Sequence, residues 1–302
     1  MKRKLQIDLL TLCLFLACAG TLLHAQVASP ASAPAPQASP TSAAQAQAET
    51  PLNTSDAQIS LQLFYWLDFS SPNLYGGAGN LGPYPGDLKY PGRAKPAEGA
   101  EIDIPAGRDN TLRLSYFRIQ GDGNTTATAN ATYFSVDYAP GDYLVTQYKL
   151  QNVKLSYDFL SYPYPPNPSR FRLKTLWEVN YTTISTSIDA PLKTVQFDAS
   201  GNPISNTATG SHWFIYPSLG LGIEKALTSH FRLDARASGF AFPHHATIWD
   251  ADASAVYRMG RYEVAAGLKA FHFKTSPQST EYFASTFPGA YVAVRYYPKR
   301  WW

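Results

Sequence analysis

Between Ala290 and Tyr297 the side chains change character at every step. Ala290, Val292, Val294 and Tyr296 make one face, and Tyr291, Ala293, Arg295 and Tyr297 make the other. A repeat of two residues belongs to a strand whose faces meet different surroundings. The pattern recurs from about residue 57 to the end of the chain, so the fold class it predicts is all-β. Ten segments carry it: Gln58–Asp68, Glu98–Pro105, Thr111–Gln120, Tyr143–Phe159, Arg170–Thr183, His212–Lys225, His230–Phe242, Thr247–Arg258, Arg261–Phe273 and Gly289–Tyr297. The fifth is among the cleanest, with Phe171, Leu173, Thr175, Trp177, Val179 and Tyr181 opposing Arg172, Lys174, Glu178 and Asn180. In the fourth, the apolar positions are Tyr148 and Leu150, then Val153, Leu155, Tyr157 and Phe159. That change of parity predicts a bulge near Gln151–Asn152.

The N-terminus has the three parts of an export signal. Lys2, Arg3 and Lys4 are followed by an apolar run from Leu9 to Leu23, and cleavage after Ala25 fits the small residue there. The run is shorter than the ~20 apolar residues of a membrane helix. Both cysteines, Cys13 and Cys18, lie within it, so cleavage at Ala25 leaves neither disulfides nor thiolate metal sites. Phe15–Cys18 is a degenerate lipoprotein box, and acylation at Cys18 is the alternative processing. Removing three bases and one acid takes the formal charge from +3 to +1. Such a balance supplies no basic field for nucleic acid. Residues 26–56 are dominated by Ala, Pro, Ser and Gln, without enough apolar surface for a core, and read as a disordered spacer.

With the export signal, the alternating strands, the aromatic residues and the terminal Trp302, residues 57–302 resemble the broad class of small bacterial outer-membrane β-barrels. The resemblance implies a transmembrane antiparallel up-and-down barrel, inserted by the barrel-assembly machinery into a layer of outer-membrane lipid and lipopolysaccharide. It also implies that Tyr296 and Trp302 form a C-terminal insertion signal. Ten strands, within a range of 8 to 12, suit the even number such barrels use. The connections support one orientation. Ala106–Asn110, Ser161–Ser169, Ala226–Ser229 and Met259–Gly260 are short, whereas the loops at the other end are mostly long.

The face opposite the apolar one carries charge. It holds acids at Glu101, Asp103, Asp158, Glu178, Glu224, Asp234, Asp250, Asp252 and Glu263. Its bases are Arg113, Lys154, Arg172, Lys174, Arg232, Arg236, Arg258, Lys269 and Arg295. A lipid-facing Arg or Lys at mid-membrane costs ~2–4 kcal/mol, so these side chains belong in the lumen as an ion-pair network. Arg232, Asp234 and Arg236 are placed to face Asp250 and Asp252 across a hairpin. Long paired side chains, with Phe64, Trp66 and Tyr216, predict a largely filled bore.

Catalytic motifs are weak. His244 and His245 beside Asp250 and Asp252 invite comparison with outer-membrane proteases of the omptin kind, but the spacing matches no motif. His272 and Ser276 are the nearest approach to a lipid A deacylase pair. No Gly-rich phosphate loop follows a strand and no nucleophile elbow is present, so no cofactor is expected. The reading is a structural or surface-interaction barrel whose long loops meet an unknown extracellular ligand. A narrow small-solute pore and an outer-leaflet hydrolase are the alternatives. The first loop, rich in Tyr, Gly and Pro, and the second, Gly121–Thr132, are the candidate surfaces.

Overall fold

The computed structural model describes residues 58–75, 87–92, 94–107, 110–162, 171–242, 246–276 and 282–298. The expected export signal and spacer, His244, His245 and Trp302 lie outside the described residues. Sixteen strands are described: β1 (Ser60–Asp68), β2 (Asn73–Tyr75), β3 (Asp87–Lys89), β4 (Ala94–Pro105), β5 (Thr111–Thr126), β6 (Ala131–Tyr133), β7 (Val136–Tyr138) and β8 (Tyr143–Tyr162), followed by β9 (Phe171–Asp189), β10 (Gln196–Phe197), β11 (Pro203–Ile204), β12 (Thr207–Ala226), β13 (Phe231–Phe242), β14 (Ala246–Met259), β15 (Tyr262–Lys274) and β16 (Tyr282–Tyr296).

Ten of these close an antiparallel barrel in the order β1, β4, β5, β8, β9, β12, β13, β14, β15, β16, with β16 pairing back onto β1. Closure removes the free sheet edges that an open ten-stranded sheet would expose. The chain breaks from β1 after Asp68 and resumes as β2 in the same register against β16, since Leu61 faces Tyr296 and Asn73 faces Ala284. The registers fix the stagger. Followed once around the barrel from Leu61, with the β12–β13 register extended by two residues, they return at Asn73, twelve residues further on. With about 3.3 Å per residue and about 4.8 Å between strands, that stagger tilts the strands by about 40°.

Short turns gather at one end, called lower here. The tightest joins β14 to β15, where Met259 pairs with Tyr262 and Gly260 takes φ 61°, a value open to glycine without a Cβ clash. The upper end has the long connections and an uneven rim. β5, β8, β9 and β12 run 16 to 20 residues and form a tall wall. The β12–β13 ladder stops at Leu219, two residues short of Pro217, which has no N–H to donate.

The fourth expected segment differs in an instructive way. The predicted bulge at Gln151–Asn152 is absent: Gln151 faces Arg118 and Asn152 faces Phe117 in an unbroken register. The irregularity in β8 lies lower, between Leu160 and Tyr162. Tyr148 and Leu150 point inward, on the same face as Asn152, Lys154, Ser156 and Asp158. The parity is constant, and what changes is the chemistry of each face.

Candidate functional site

Two surroundings are stacked inside the barrel. In the lower part the exterior is an apolar belt, with exposed side chains such as Ile59, Leu61, Leu63, Tyr65, Leu67 and Phe69 on and beside β1. Those ten residues of rise come to about 25 Å along the axis at this tilt. Exposed aromatic residues mark both margins: Phe159, Phe171, Tyr257, Tyr262 and Tyr296 below, Tyr181, Trp213 and Trp249 above. Higher up the exterior turns polar, with Gln147 and Lys149 on β8, Ser185 and Ser187 on β9, and Thr209 and Ser211 on β12.

The interior inverts this order. Behind the apolar belt lie the charges, and all eighteen collected from the sequence join at least one ion pair. Asp103 is the most shared acid. It meets Arg113 Nε at 2.8 Å and Arg295 Nη1 at 3.2 Å, and it accepts from Ser60 Oγ at 3.3 Å. Glu101 takes Arg295 Nη2 at 2.8 Å and Arg113 at 3.3 Å. Asp250 holds two lysines, Lys154 at 3.1 Å and Lys269 at 3.2 Å, and Lys154 also approaches Glu178 at 3.5 Å. Glu224 bridges Arg172 and Lys174 at 3.4 and 3.3 Å. At the lower mouth Arg232 is bidentate on Glu263, at 2.6 and 2.8 Å, while Arg258 approaches Glu263 at 3.7 Å and stacks over the Tyr297 ring. Fixed opposite charges and hydrogen bonds offset the desolvation these groups incur.

The expected pairing across the β13–β14 hairpin is not the one formed. Arg236 lies directly opposite Asp252 in the register, yet its Nη2 donates 2.9 Å hydrogen bonds to both oxygens of Asp158, across the lumen. Asp234 pairs with its own strand neighbour Arg232 at 3.1 Å. In a barrel this narrow the far wall is within a side chain's length, so register neighbours compete with residues on distant strands. Neutral groups join as well: Arg295 Nε donates to Gln62, Asn180 to Ser218, and Ser238 to Glu178. They share the inward parity, which is the signal that would have identified them.

Above the charges the interior becomes aromatic. Trp66 meets Phe117 edge-on at 5.6 Å, Phe117 meets Phe271 at 5.1 Å, and Phe273 stacks on Phe287 at 6.2 Å and on Phe214 at 6.1 Å. With Ile119, Leu150, Ile184 and Ile188 they form one buried apolar cluster across the bore. A hairpin of β6 and β7 joins it from the second loop. Its tip residues Phe134 and Ser135 both take positive φ, 46° and 68°, which is strained for side chains of this kind. The Phe134 ring stacks on Phe283 at 5.7 Å and fills the space where a Cβ on Gly210 would sit. Tyr138 anchors the hairpin, donating to Ile188 O at 2.9 Å and accepting from Ala208 N at 3.2 Å. Sequence reasoning missed this hairpin because a Phe-Ser tip lacks the Asn-Gly signature of such turns. Thr128, Ala129 and Asn130 of the same loop stay exposed.

Of the residues weighed for catalysis, His272 faces outward, stacked on Trp249 at 5.4 Å and within 2.8 Å of Thr286 Oγ1. Asp250 is occupied by its two lysines. Tyr296 faces outward against Tyr262 at 5.2 Å. The chain matches no protein-family model and no curated protein.

Proposed function

We propose that this chain is an integral outer-membrane barrel, closed at its upper end, that serves as a structural or surface-interaction protein through its upper loops. One observation carries the reading: the exposed apolar belt stands at the height of the charged lumen, and the polar exterior at the height of the aromatic interior. A water-soluble barrel has no reason to turn its apolar side outward over ten strands. A bilayer does, because hydrocarbon solvates Leu, Val and Phe and rejects the charges. The belt's height of about 25 Å and its aromatic margins fit such a layer. In this orientation the short turns and the N-terminus face the periplasm after signal cleavage, and the upper loops face outward.

The aromatic interior supports a sealed barrel over the narrow pore, because wall residues themselves fill the bore. The two lysines on Asp250 support a non-catalytic barrel over an omptin-like hydrolase, since a carboxylate so held is a poor proton acceptor. Fractionation tests the placement. The processed protein should follow the outer membrane and need detergent to leave it, and recovery as a freely soluble species would overturn the reading.

A further inference from the structure

The lower lumen contains a cavity that the ion pairs do not fill. It offers about 80 Å³ to the centres of water molecules, room for about six waters and hence for about six heavy atoms. One wall is small and largely apolar, with Val256, Ala265 and Ala293 beside Ser254. The rest is charged, and two of those charges are incompletely used.

Asp252 accepts no hydrogen bond among the described residues, and its ion pair is a 4.0 Å approach to Lys269 Nζ. Arg236, directly across the hairpin from it, commits Nη2 to Asp158 and makes no other hydrogen bond among the described residues. Inward side chains at paired positions of adjacent strands normally meet. Here they part, and both line the cavity. Asp234, diagonal to Asp252, leaves Oδ1 without a hydrogen bond, although Oδ2 is taken by Arg232. Oδ1 itself is shielded from water, although the side chain as a whole is 25% exposed.

We propose that the cavity binds a small zwitterion with a short apolar body, of the size of a simple α-amino acid. The ammonium group is received by Asp252, with the charge of Asp234 nearby, and the carboxylate by the uncommitted N–H groups of Arg236. The apolar carbon rests on Val256, Ala265 and Ala293. A singly charged solute satisfies one side and leaves the other unused. A zwitterion also leaves the nearly neutral charge of the lumen unchanged. Binding is independent of what the upper loops meet.

Calorimetric titration of the purified barrel in detergent at neutral pH tests this with L-alanine, acetate and methylammonium. L-Alanine should bind at least tenfold more tightly than either single-charge probe. Asp252→Asn should weaken L-alanine at least tenfold and leave the weak acetate binding unchanged. Ala293→Leu, which fills the cavity and alters no charge, should abolish binding of all three. Each variant is first shown to be folded by its heat-dependent shift in electrophoretic mobility. The proposal is overturned if the folded barrel gives no binding heat with L-alanine. It is equally overturned if L-alanine binds no better than acetate or methylammonium, or if Asp252→Asn leaves its affinity unchanged.

Discussion

At the scale of single residues, equal formal charges in the lumen carry unequal weight. Asp103 holds two arginines and accepts a serine hydroxyl, and its side chain is 1% exposed. Asp103→Ala would leave Arg113 and Arg295 buried without that acid, and breaking one partner of a buried pair costs about 3–5 kcal/mol. Asp252 has only its 4.0 Å contact, so Asp252→Ala should cost less than about 1 kcal/mol, the range of a weakly used ion pair. Urea unfolding of the two variants refolded into the same lipid vesicles compares them directly. Equal losses would show that the network shares its charge evenly, contrary to the distances.

At the scale of elements, the hairpin of β6 and β7 is strained at its tip and retained by what it buries. Tyr133 and Tyr138 are buried and Phe134 is half-buried. Full burial of one large apolar side chain is worth about 1.5–3 kcal/mol, comparable with the ~1–3 kcal/mol each that unusual backbone conformations cost. Gly210→Ala places a Cβ about 2.5 Å from the Phe134 ring, so the ring must move and the hairpin should loosen. Faster proteolysis within residues 127–142, with the barrel intact, is the expected result. Alkali should do the same by another route. Burial pushes the Tyr138 hydroxyl up to about 12, from an ordinary value of 10. The docked hairpin therefore favours the protonated phenol, and its stability is complete below pH 10 and falls as pH rises toward 12. Hydrogen exchange at Val136–Tyr138, followed against pH, should show the release in that window. In Tyr138→Phe that dependence should disappear.

The same elements show what the sequence made legible. Parity was readable along the apolar belt, and with it the strand number, the closed antiparallel barrel and the set of inward charges. The upper storey was not, because an apolar residue such as Tyr148 or Leu150 faces outward where the surroundings are apolar and inward where they are water. Strand ends suffered likewise. β9 runs to Asp189, six residues beyond the expected Thr183, because Ser185 and Ser187 alternate with Thr186 and Ile188 where polar residues suggested a loop. Partner choice inside the lumen depends on which strands oppose each other across the bore. The Arg236–Asp158 pair, 78 positions apart, has no local signature.

At the scale of the whole molecule the belt and the seal make separate demands. Leu63, 61% exposed near the middle of the belt, is the place to test the first. Leu63→Arg should cost about 2–4 kcal/mol in vesicles if the belt meets hydrocarbon. Leu192→Arg, on an upper loop at 79% exposure, should fall within about 0.5 kcal/mol of the parent. The seal concerns where the bore is blocked. The hairpin packs on the upper cluster, but Trp66, Phe117, Phe271, Phe273 and Phe287 belong to the wall and meet in the lumen. In planar bilayers the intact protein should therefore give no steady single-channel steps. A variant with Ala131–Tyr138 replaced by a short Gly/Ser linker should remain silent too, since the wall aromatics persist. Steps should appear when Phe271, Phe273 and Phe287 are all replaced by Ala, which removes the rings and leaves the backbone ladder in place. Conductance from the hairpin variant alone would make the loop the plug and turn the barrel into a gated channel.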